Sequence, residues 1–340
     1  MSAGAPTRNR RWILTARPQA RSVASCFELQ EERLTPLQPG EARVHVEWLS
    51  IDPTQRGWLN SGTNYRSPVG LGEVMRGAGV GTVIESDAEF LPVGAKVYGE
   101  LGWQEYMSAS ASGLFGVNVV PDGIESRHML SLFGTNGLTA YFGLTEIGRP
   151  SPGDTVLVSG AGGATGSIAA QMARSLGCRT IGIAGGQEKC EWVRESAGLD
   201  ACIDYRSEDV PSALETLAPE GIDVYFDNVG GELLEAAIDN LANHGRIVLC
   251  GAIATGYDGN LPNTGIRNYM QLGLRRATME GFVFLDYLER FPEAVTHLSG
   301  LLGRGELVIA ESIADGLETA PGALDGLFTG ANLGKQLVRI

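Results

Sequence analysis

The stretch that decides the fold reads Asp154-Thr-Val-Leu-Val-Ser-Gly160-Ala-Gly-Gly163-Ala-Thr-Gly166-Ser167. It begins with a continuous apolar run, Val156 to Val158, which is typical of a parallel strand covered on both faces. After the glycine cluster, Ile168, Met172 and Leu176 recur every four positions, as on one face of an amphipathic helix. The stretch therefore predicts a strand, a glycine turn and a helix.

A glycine turn between a strand and a helix can hold a phosphate, because backbone N–H groups approach it closely and the helix N-terminus carries partial positive charge. The spacing here is G-x-x-G-x-x-G rather than G-x-G-x-x-G, so the motif alone also fits a turn without a ligand. The alternating strands and helices that follow supply the context that a dinucleotide fingerprint requires. We therefore expect a dinucleotide to bind at Gly160, Gly163, Ala164, Thr165 and Gly166.

Composition limits the class of protein. The 340 residues leave room for two domains, and 43% of them are hydrophobic. A formal net charge of -14 argues against nucleic-acid binding, which needs a basic face. The chain has no run of about twenty apolar residues, and Trp12-Ile-Leu14 is too short for a signal-peptide core. We expect a cytoplasmic protein with a small-molecule substrate, no nucleic-acid partner and no membrane segment.

Three parts with different patterns follow one another along the chain. Residues 11–118 are strand-like and punctuated by glycines, which indicates a mostly β domain. From about residue 129 strands alternate with helices, which predicts a doubly wound parallel sheet with Gly281–Phe284 as its last strand. The tail carries strand-like segments at Leu307–Ile313 and Gly334–Ile340 and is expected to return to the first domain. The predicted domains are residues 1–131 with 303–340, and residues 132–302.

A series of short blocks runs through the chain: Asn9-Arg-Arg-Trp12, Asp52-Pro-Thr-Gln-Arg-Gly57, Gly72-Glu-Val-Met-Arg-Gly77, Gly137-Leu-Thr-Ala-Tyr-Phe-Gly143, Tyr225-Phe-Asp-Asn-Val-Gly-Gly231, Cys250-Gly-Ala-Ile253, Met279-Glu-Gly-Phe282 and Asn332-Leu-Gly-Lys-Gln336. In this order the blocks resemble the medium-chain dehydrogenase/reductase superfamily, and within it the zinc-free branch of prostaglandin, alkenal double-bond and curcumin reductases. The resemblance covers nearly the whole chain. It implies an α/β protein with a mostly β, GroES-like catalytic domain and a Rossmann domain, an NADPH cofactor and a homodimer.

The ligands of a zinc-dependent alcohol dehydrogenase are missing from the sequence. Such an enzyme needs a set of Cys and His ligands, and residues 1–177 contain a single cysteine, Cys26. Gly72-Glu73 also lacks the histidine of a Gly-His-Glu ligand motif. We expect no bound metal, and we expect the five cysteines to be free thiols because their spacing fits neither a metal nor a redox motif.

The sequence after the second strand favours NADP over NAD. An NAD site places a carboxylate about twenty residues after the glycines, to bind the ribose hydroxyls. Here that position reads Ala184-Gly-Gly186, and Lys189 follows in a helix N-terminus, where a cation opposes the helix dipole unless an anion is bound. The resemblance assigns Lys189 and Tyr205 to the 2′-phosphate of NADP. A solvated surface lysine is the alternative interpretation.

The resemblance assigns further residues to the cofactor site: Asn228, Cys250, Gly251, Ala252, Ile253, Tyr257, Phe282, Val283, Phe284 and Asn332. Taken alone, Asn228 fits a turn and the two phenylalanines fit a core. Tyr65 and Tyr257 are candidate catalytic residues, because a phenol can donate to a carbonyl oxygen while its ring packs against an apolar tail. For Tyr65 a structural role fits almost as well.

Together these features predict an NADPH-dependent reductase of the carbon–carbon double bond in α,β-unsaturated ketones or aldehydes. Hydride would pass to the β-carbon, and the enolate oxygen would accept hydrogen bonds from Tyr257 and from the ribose of the cofactor. Two alternatives remain at this point. One is an NADPH quinone reductase of the same superfamily, and the other is a non-catalytic, NADPH-binding redox sensor.

Overall fold

The structure is a computed structural model that describes residues 6–19, 22–61, 66–110, 116–255, 257 and 265–340. Its strands are β1 (Arg8–Leu14), β2 (Phe27–Arg33), β3 (Ala42–Ile51), β4 (Ala78–Ser86), β5 (Lys96–Glu100), β6 (Tyr106–Ala109), β7 (Val117–Val119), β8 (Thr155–Ser159), β9 (Arg179–Ala184), β10 (Ala201–Asp204), β11 (Ile222–Asp227), β12 (Leu241–Leu249), β13 (Thr278–Gly281), β14 (Glu311–Asp315) and β15 (Lys335–Arg339). Its α-helices are α1 (Thr54–Gly57), α2 (Thr135–Phe142), α3 (Ala164–Ser175), α4 (Gln187–Glu195), α5 (Val210–Leu217), α6 (Gly231–Asp239), α7 (Met270–Arg275), α8 (Phe291–Gly303) and α9 (Ala320–Leu327).

Contacts within the chain divide it into two compact units. The first contains Met1–Leu130, Ser312–Ala331 and Gln336–Ile340, and the second contains Ser131–Glu311 and Asn332–Lys335. None of the helices in the described ranges is both long enough and apolar enough to span a membrane.

The first unit is built on a seven-stranded sheet with the order β14-β15-β3-β4-β5-β7, and β6 also pairs with β3. Burial alternates along β3, since Val44 and Val46 are fully buried while His45 and Glu47 keep some exposure. One face of this strand therefore lies in the core of the unit. Strands β1 and β2 form a separate antiparallel pair. The mostly β character predicted for this part of the chain is confirmed.

The second unit is a six-stranded parallel sheet with the order β10-β9-β8-β11-β12-β13. Counted from β8, this is the 3-2-1-4-5-6 order of a doubly wound Rossmann sheet, so the predicted fold class is confirmed. Val156, Leu157 and Val158 have no exposed surface, as a strand covered on both faces requires. The strand order reverses between β8 and β11, and in such sheets ligands collect at the carboxyl ends of the strands around this point.

Two predicted strands are placed differently in the structure. The strand expected at Gly281–Phe284 lies at Thr278–Gly281, because the chain then turns to pack Phe282 on Gly143, where a Cβ would meet the ring at 2.6 Å. The strand expected at Leu307–Ile313 begins only at Glu311. Its first half makes other hydrogen bonds: the Val308 N–H donates to the Gln171 side chain at 2.8 Å rather than to a neighbouring strand.

Candidate cofactor and active site

The glycine turn between β8 and α3 has the geometry of a phosphate-binding turn. Gly160 has a φ of +62°, a left-handed conformation that glycine adopts without strain. Gly166 packs closely on it, since a Cβ there would lie 2.3 Å from the Gly160 carbonyl oxygen. Gly163 is the N-cap of α3 and offers no side chain to the N–H groups of the first turn, which contains Ala164 and Thr165. Backbone donors at a helix N-terminus are what a phosphate binds.

A buried carboxylate ties the carboxyl end of β11 to that of β8. Asp227 is 1% exposed, and its Oδ1 accepts hydrogen bonds from the hydroxyls of Ser159 (3.1 Å) and Tyr225 (2.8 Å) and from the N–H groups of Val229 (3.0 Å) and Gly230 (2.9 Å). Burial, followed by the charge of Asp227, raises the pKa of Tyr225 well above its ordinary value, so the phenol stays a donor. Sequence reasoning missed Asp227, although a carboxylate at the last position of a parallel strand was a usable signal.

Asn228, which follows this carboxylate, bridges the two strands. Its side chain donates to the Ser159 carbonyl oxygen at 2.7 Å, and its N–H donates to the Ser159 hydroxyl at 2.9 Å. The structure thus places Asn228 at the reversal of the strand order, where the sequence predicts a cofactor residue rather than a simple turn.

The segment after β12 joins the same group of residues. The Ile253 N–H donates to the Asn228 carbonyl oxygen at 3.4 Å, and the Ala252 N–H donates to the Tyr257 hydroxyl oxygen at 3.2 Å. A Cβ at Gly251 would lie 3.0 Å from that hydroxyl, so the phenol is seated closely on the loop. An N–H that donates to a phenol oxygen polarises the phenol and strengthens its own O–H as a donor.

The returning tail reaches the glycine turn as well. The Gly334 N–H donates to the Gly162 carbonyl oxygen at 2.7 Å, and the Asn332 side chain donates to the Gly334 carbonyl oxygen at 2.8 Å. Gly334 has a φ of +65°, and a Cβ there would lie 2.0 Å from the Ala310 carbonyl oxygen. The structure therefore brings Asn332 to the turn, which the distance between them in the sequence does not reveal.

Lys189 lies in the first turn of α4 and across the glycine turn. A Cβ at Gly162 would be 3.4 Å from its Cδ. Burial lowers the pKa of Lys189 most, the positive charge of Arg206 lowers it further, and Glu188 raises it. A half-buried ammonium beside a guanidinium gains from a bound anion, because the anion offsets both the burial and the repulsion. The surroundings of Lys189 thus fit a phosphate better than they fit open solvent.

Arg206 is a candidate cofactor residue that sequence reasoning missed. A Cβ at Gly186 would lie 3.7 Å from its Nη1, and its guanidinium is 6.0 Å from the centre of the Tyr205 ring. Tyr205 is 46% exposed and lies against Gly185, where a Cβ would be 2.7 Å from the ring. Asp204 accepts the N–H groups of Gly186 (2.7 Å) and Arg206 (3.0 Å), and the Gly186 bond is the main cause of its lowered pKa. The carboxylate is therefore engaged by the backbone beside the two cations.

The aromatic residues after β13 have packing partners of their own. The Phe282 ring lies against Gly143, and the Phe284 ring stacks on Phe291 with centroids 5.8 Å apart. A cofactor role for Phe282, Val283 and Phe284 stays a prediction. Tyr65, the second candidate catalytic residue, lies outside the described residues.

Among its described residues, this site contains neither a metal-binding cluster nor a reactive thiol. Within the described ranges, no group of three or more His, Cys, Asp or Glu residues is placed to hold a metal ion. Burial, with the nearby charge of Asp227, raises the pKa of Cys250 to about 12. The Cys250 thiol is therefore uncharged at neutral pH and can contribute only packing or a weak hydrogen bond.

These features fit an NADP molecule. The glycine turn offers uncapped N–H groups for the diphosphate, and two cations flank the end of the second strand, where the 2′-phosphate of the adenosine ribose would lie. Fold and site together define a dinucleotide-binding protein of the Rossmann class.

Comparison with known proteins agrees with this class. A family model described as the N-terminal domain of oxidoreductase matches residues 10–117, and one described as zinc-binding dehydrogenase matches residues 164–300. The NADPH-dependent curcumin reductase of Escherichia coli is 34% identical over 98% of this chain and 97% of its own length. The NADP(+)-dependent 2-alkenal reductase of Nicotiana tabacum is 37% identical over 86% of this chain and 85% of its own. The crystal structure of CurA from Vibrio vulnificus in complex with NADPH is 36% identical and superposes with a TM-score of 0.91, over 97% of this chain and 98% of that one.

The chain belongs to the medium-chain dehydrogenase/reductase superfamily, in its zinc-free branch of double-bond reductases. It is an NADP-dependent oxidoreductase, and the prediction of superfamily, branch and cofactor from the sequence is confirmed.

Proposed function

We propose that this protein uses NADPH to reduce the carbon–carbon double bond of α,β-unsaturated ketones and aldehydes. The observation that carries the proposal is the position of the Tyr257 hydroxyl, which accepts the Ala252 N–H in the loop after β12, at the carboxyl end of the Rossmann sheet. Relatives that share more than a third of their residues with this chain over most of its length include an alkenal reductase and a pulegone reductase.

The residues proposed to hold the cofactor divide into three groups. The glycine turn from Gly160 to Gly166 would bind the diphosphate through backbone N–H groups, and Lys189, Tyr205 and Arg206 would bind the 2′-phosphate. Asn228, the loop from Cys250 to Ile253, and Asn332 surround the turn through the hydrogen bonds described above and would line the rest of the cofactor. When bound, NADPH supplies the hydride.

Tyr257 would stabilise the charge that develops on the substrate. When the β-carbon of an enone accepts a hydride, negative charge moves to the carbonyl oxygen, and a positioned donor lowers the barrier. The Tyr257 O–H is such a donor, and the bond from the Ala252 N–H holds its oxygen against the loop. No acid side chain is required, because solvent can protonate the α-carbon. Tyr65 remains the second candidate for this contact.

Turnover of NADPH against a panel of enones, alkenals, quinones and secondary alcohols tests the proposal. Enones and alkenals should be reduced best, and alcohols should not be oxidised. Tyr257→Phe should lower kcat by about a hundredfold, less if the ribose hydroxyl compensates, with the Kd for NADPH unchanged. Tyr98→Phe, which removes a phenol from β5, is the matched control and should leave kcat as it is.

The same panel separates the alternatives. A clear preference for quinones would assign the protein to the quinone reductases. Tight NADPH binding without turnover of any substrate class would favour a non-catalytic redox sensor. If Tyr257→Phe kept full kcat on enones, Tyr257 would have no part in the reaction.

A homodimer and a cytoplasmic location complete the proposal, together with the division into a catalytic domain (1–131 and 303–340) and a cofactor domain (132–302). The surface around β13 supports the dimer. Among the described strands β13 pairs only with β12, and the neighbouring Tyr269, Met270 and Leu274 are 60%, 61% and 66% exposed. An open strand edge beside exposed apolar side chains is a surface on which a second copy can extend the sheet.

A further inference from the structure

Two of the cysteines, Cys190 on α4 and Cys202 on β10, face each other in the Rossmann unit. In the ladder between β9 and β10, Cys202 is opposite Gly182. Their neighbours Ile181, Ile183 and Ile203 all point into the core cluster on the other face of the sheet, so Gly182 and Cys202 face α4.

The helix places its own thiol over this pair. A Cβ at Gly182 would lie 2.9 Å from Cγ1 of Val193, which shows that Val193 sits directly above Gly182. Cys190 is three residues earlier on the same face of α4, and it is buried, whereas Cys202 is half-buried. The two thiols are near enough for each to shift the pKa of the other. Neither the reaction nor the cofactor site described above uses them.

Both thiols are connected to the proposed 2′-phosphate site. Cys190 follows Lys189 in the first turn of α4, and Cys202 lies two residues before Asp204, which holds the Gly186 N–H at 2.7 Å. A change in the distance between the two sulfurs therefore moves the turn that positions Lys189 and Gly186.

We propose that Cys190 and Cys202 are a reversible oxidation site, and that the disulfide between them weakens the binding of NADPH. The coupling to NADPH rests on the proposed cofactor role of Lys189, while disulfide formation does not. The oxidant is a small hydroperoxide or an azo compound such as diamide. Two S–H bonds break and one S–S bond forms, and two electrons and two protons pass to the oxidant, which becomes an alcohol and water, or a hydrazine.

The short S–S bond of a disulfide explains why oxidation should weaken NADPH binding. A disulfide holds its sulfurs at about 2.05 Å, shorter than any hydrogen bond between thiols, so the first turn of α4 must move toward β10. Lys189 then leaves its place over the glycine turn, and a charge-assisted hydrogen bond to phosphate weakens with small displacements. NADH has no 2′-phosphate and should be affected little.

The pKa values of the Cys190 and Cys202 thiols decide the pH at which the oxidation is run. Burial raises the pKa of both thiols, Asp204 and Glu208 raise it further at Cys190, and Arg194 lowers it. Cys202 lowers the pKa of Cys190, whereas Cys190 raises the pKa of Cys202, so Cys190 is the thiol that ionises first and attacks the oxidant. Oxidation should therefore be run in mildly alkaline buffer, where more thiolate is present.

Peptide mapping tests the first half of the proposal. Trypsin cuts after Lys189, Arg194 and Arg206, so the disulfide joins the fragments 190–194 and 195–206 into one peptide that a reductant separates. Diamide-treated protein should give this peptide. Cys202→Ala and Cys202→Ser should not, and Cys178→Ala, the matched control for a buried thiol elsewhere in the unit, should give it as before.

Titration of the same samples tests the second half. Oxidised wild type should bind NADPH roughly three- to tenfold more weakly than reduced wild type, with a change in NADH affinity below about twofold, and a dithiol should reverse the loss. Diamide should not change the affinity of Cys202→Ala. Absence of the joined peptide, or its presence with unchanged NADPH affinity, would overturn the proposal. If reduced wild type showed no preference for NADPH over NADH, the role of Lys189 would be wrong, while the disulfide would stand on the peptide alone.

Discussion

Single charges around Gly186 decide which cofactor the Rossmann unit prefers. Lys189→Ala removes one of the two cations proposed for the 2′-phosphate. A charge-assisted hydrogen bond to phosphate contributes about 1.5 to 3 kcal/mol, so NADPH affinity should fall on the order of ten- to a hundredfold, with NADH barely changed. Arg194→Ala, which removes a cation from the last turn of the same helix, should leave both affinities unchanged. Titration of the wild type and of both variants with NADPH and with NADH measures these affinities.

The pH dependence of the same preference follows from the environment of Lys189. Burial lowers the pKa of its ammonium, so the charge is present at low pH and is lost as pH rises through that pKa. The ratio of NADPH to NADH affinity should fall as pH rises through this lowered pKa, and the fall should be smaller in Lys189→Ala. Equal losses of NADPH and NADH in the variant would mean that Lys189 supports the fold rather than the phosphate.

The sequence alone singles out Lys189, because its charge opposes the dipole at a helix N-terminus, whereas Tyr205, Asn228 and Asn332 enter through the resemblance to the family. The cofactor roles of all four stay predictions. Arg206 and Asp204 were missed because only the parallel pairing of β9 and β10 brings them to Gly186. Asp227 was missed for the same reason, since its partner Ser159 ends a different strand.

Among the structural elements, the contact between the glycine turn and α3 carries the cofactor site. A Cβ at Gly166 would lie 2.3 Å from a backbone oxygen, so Gly166→Ala must push the helix away from the turn. Overpacking of this kind costs about 1 to 3 kcal/mol in stability, and the displaced N–H groups should weaken NADPH and NADH equally. This result differs from that expected for Lys189→Ala, which should lower the affinity for NADPH and leave the affinity for NADH nearly unchanged.

Gly322→Ala in α9 is the control for this substitution. A Cβ at Gly322 meets nothing within 4 Å, so alanine should stabilise the protein by about 0.4 to 1 kcal/mol and leave cofactor affinity unchanged. Thermal unfolding and titration of both variants provide the comparison. A Gly166→Ala protein with normal affinity for both cofactors would show that the turn does not hold the diphosphate.

Strands and helices were predictable where local pattern and burial agree. The central strands are apolar because both their faces are covered, so β8, β9 and β11 can be predicted from the sequence. Strand β12 is predictable only in its second half, because Asn243 and His244 in its first half are exposed. The segment Gly281–Phe284 has the same apolar pattern for a different reason, because its phenylalanines pack on Gly143 and Phe291. A run of apolar residues does not distinguish a strand from a loop whose side chains reach back into the core.

For the molecule as a whole, the edge of β13 that no other described strand covers predicts a homodimer. Pairing of two β13 strands across a two-fold axis would satisfy the edge and cover the apolar side chains of α7.

The double variant Met270→Glu with Leu274→Glu places two carboxylates on each copy at this surface, where they would be buried or face each other. Light scattering after size-exclusion chromatography should give twice the chain mass for wild type and the single chain mass for the variant. Val93→Glu replaces an equally exposed apolar residue, 64% accessible and located just before β5, and should stay dimeric. If the α7 double variant stayed dimeric, the interface would lie on another surface. If the wild type were monomeric, the proposed homodimer would be wrong.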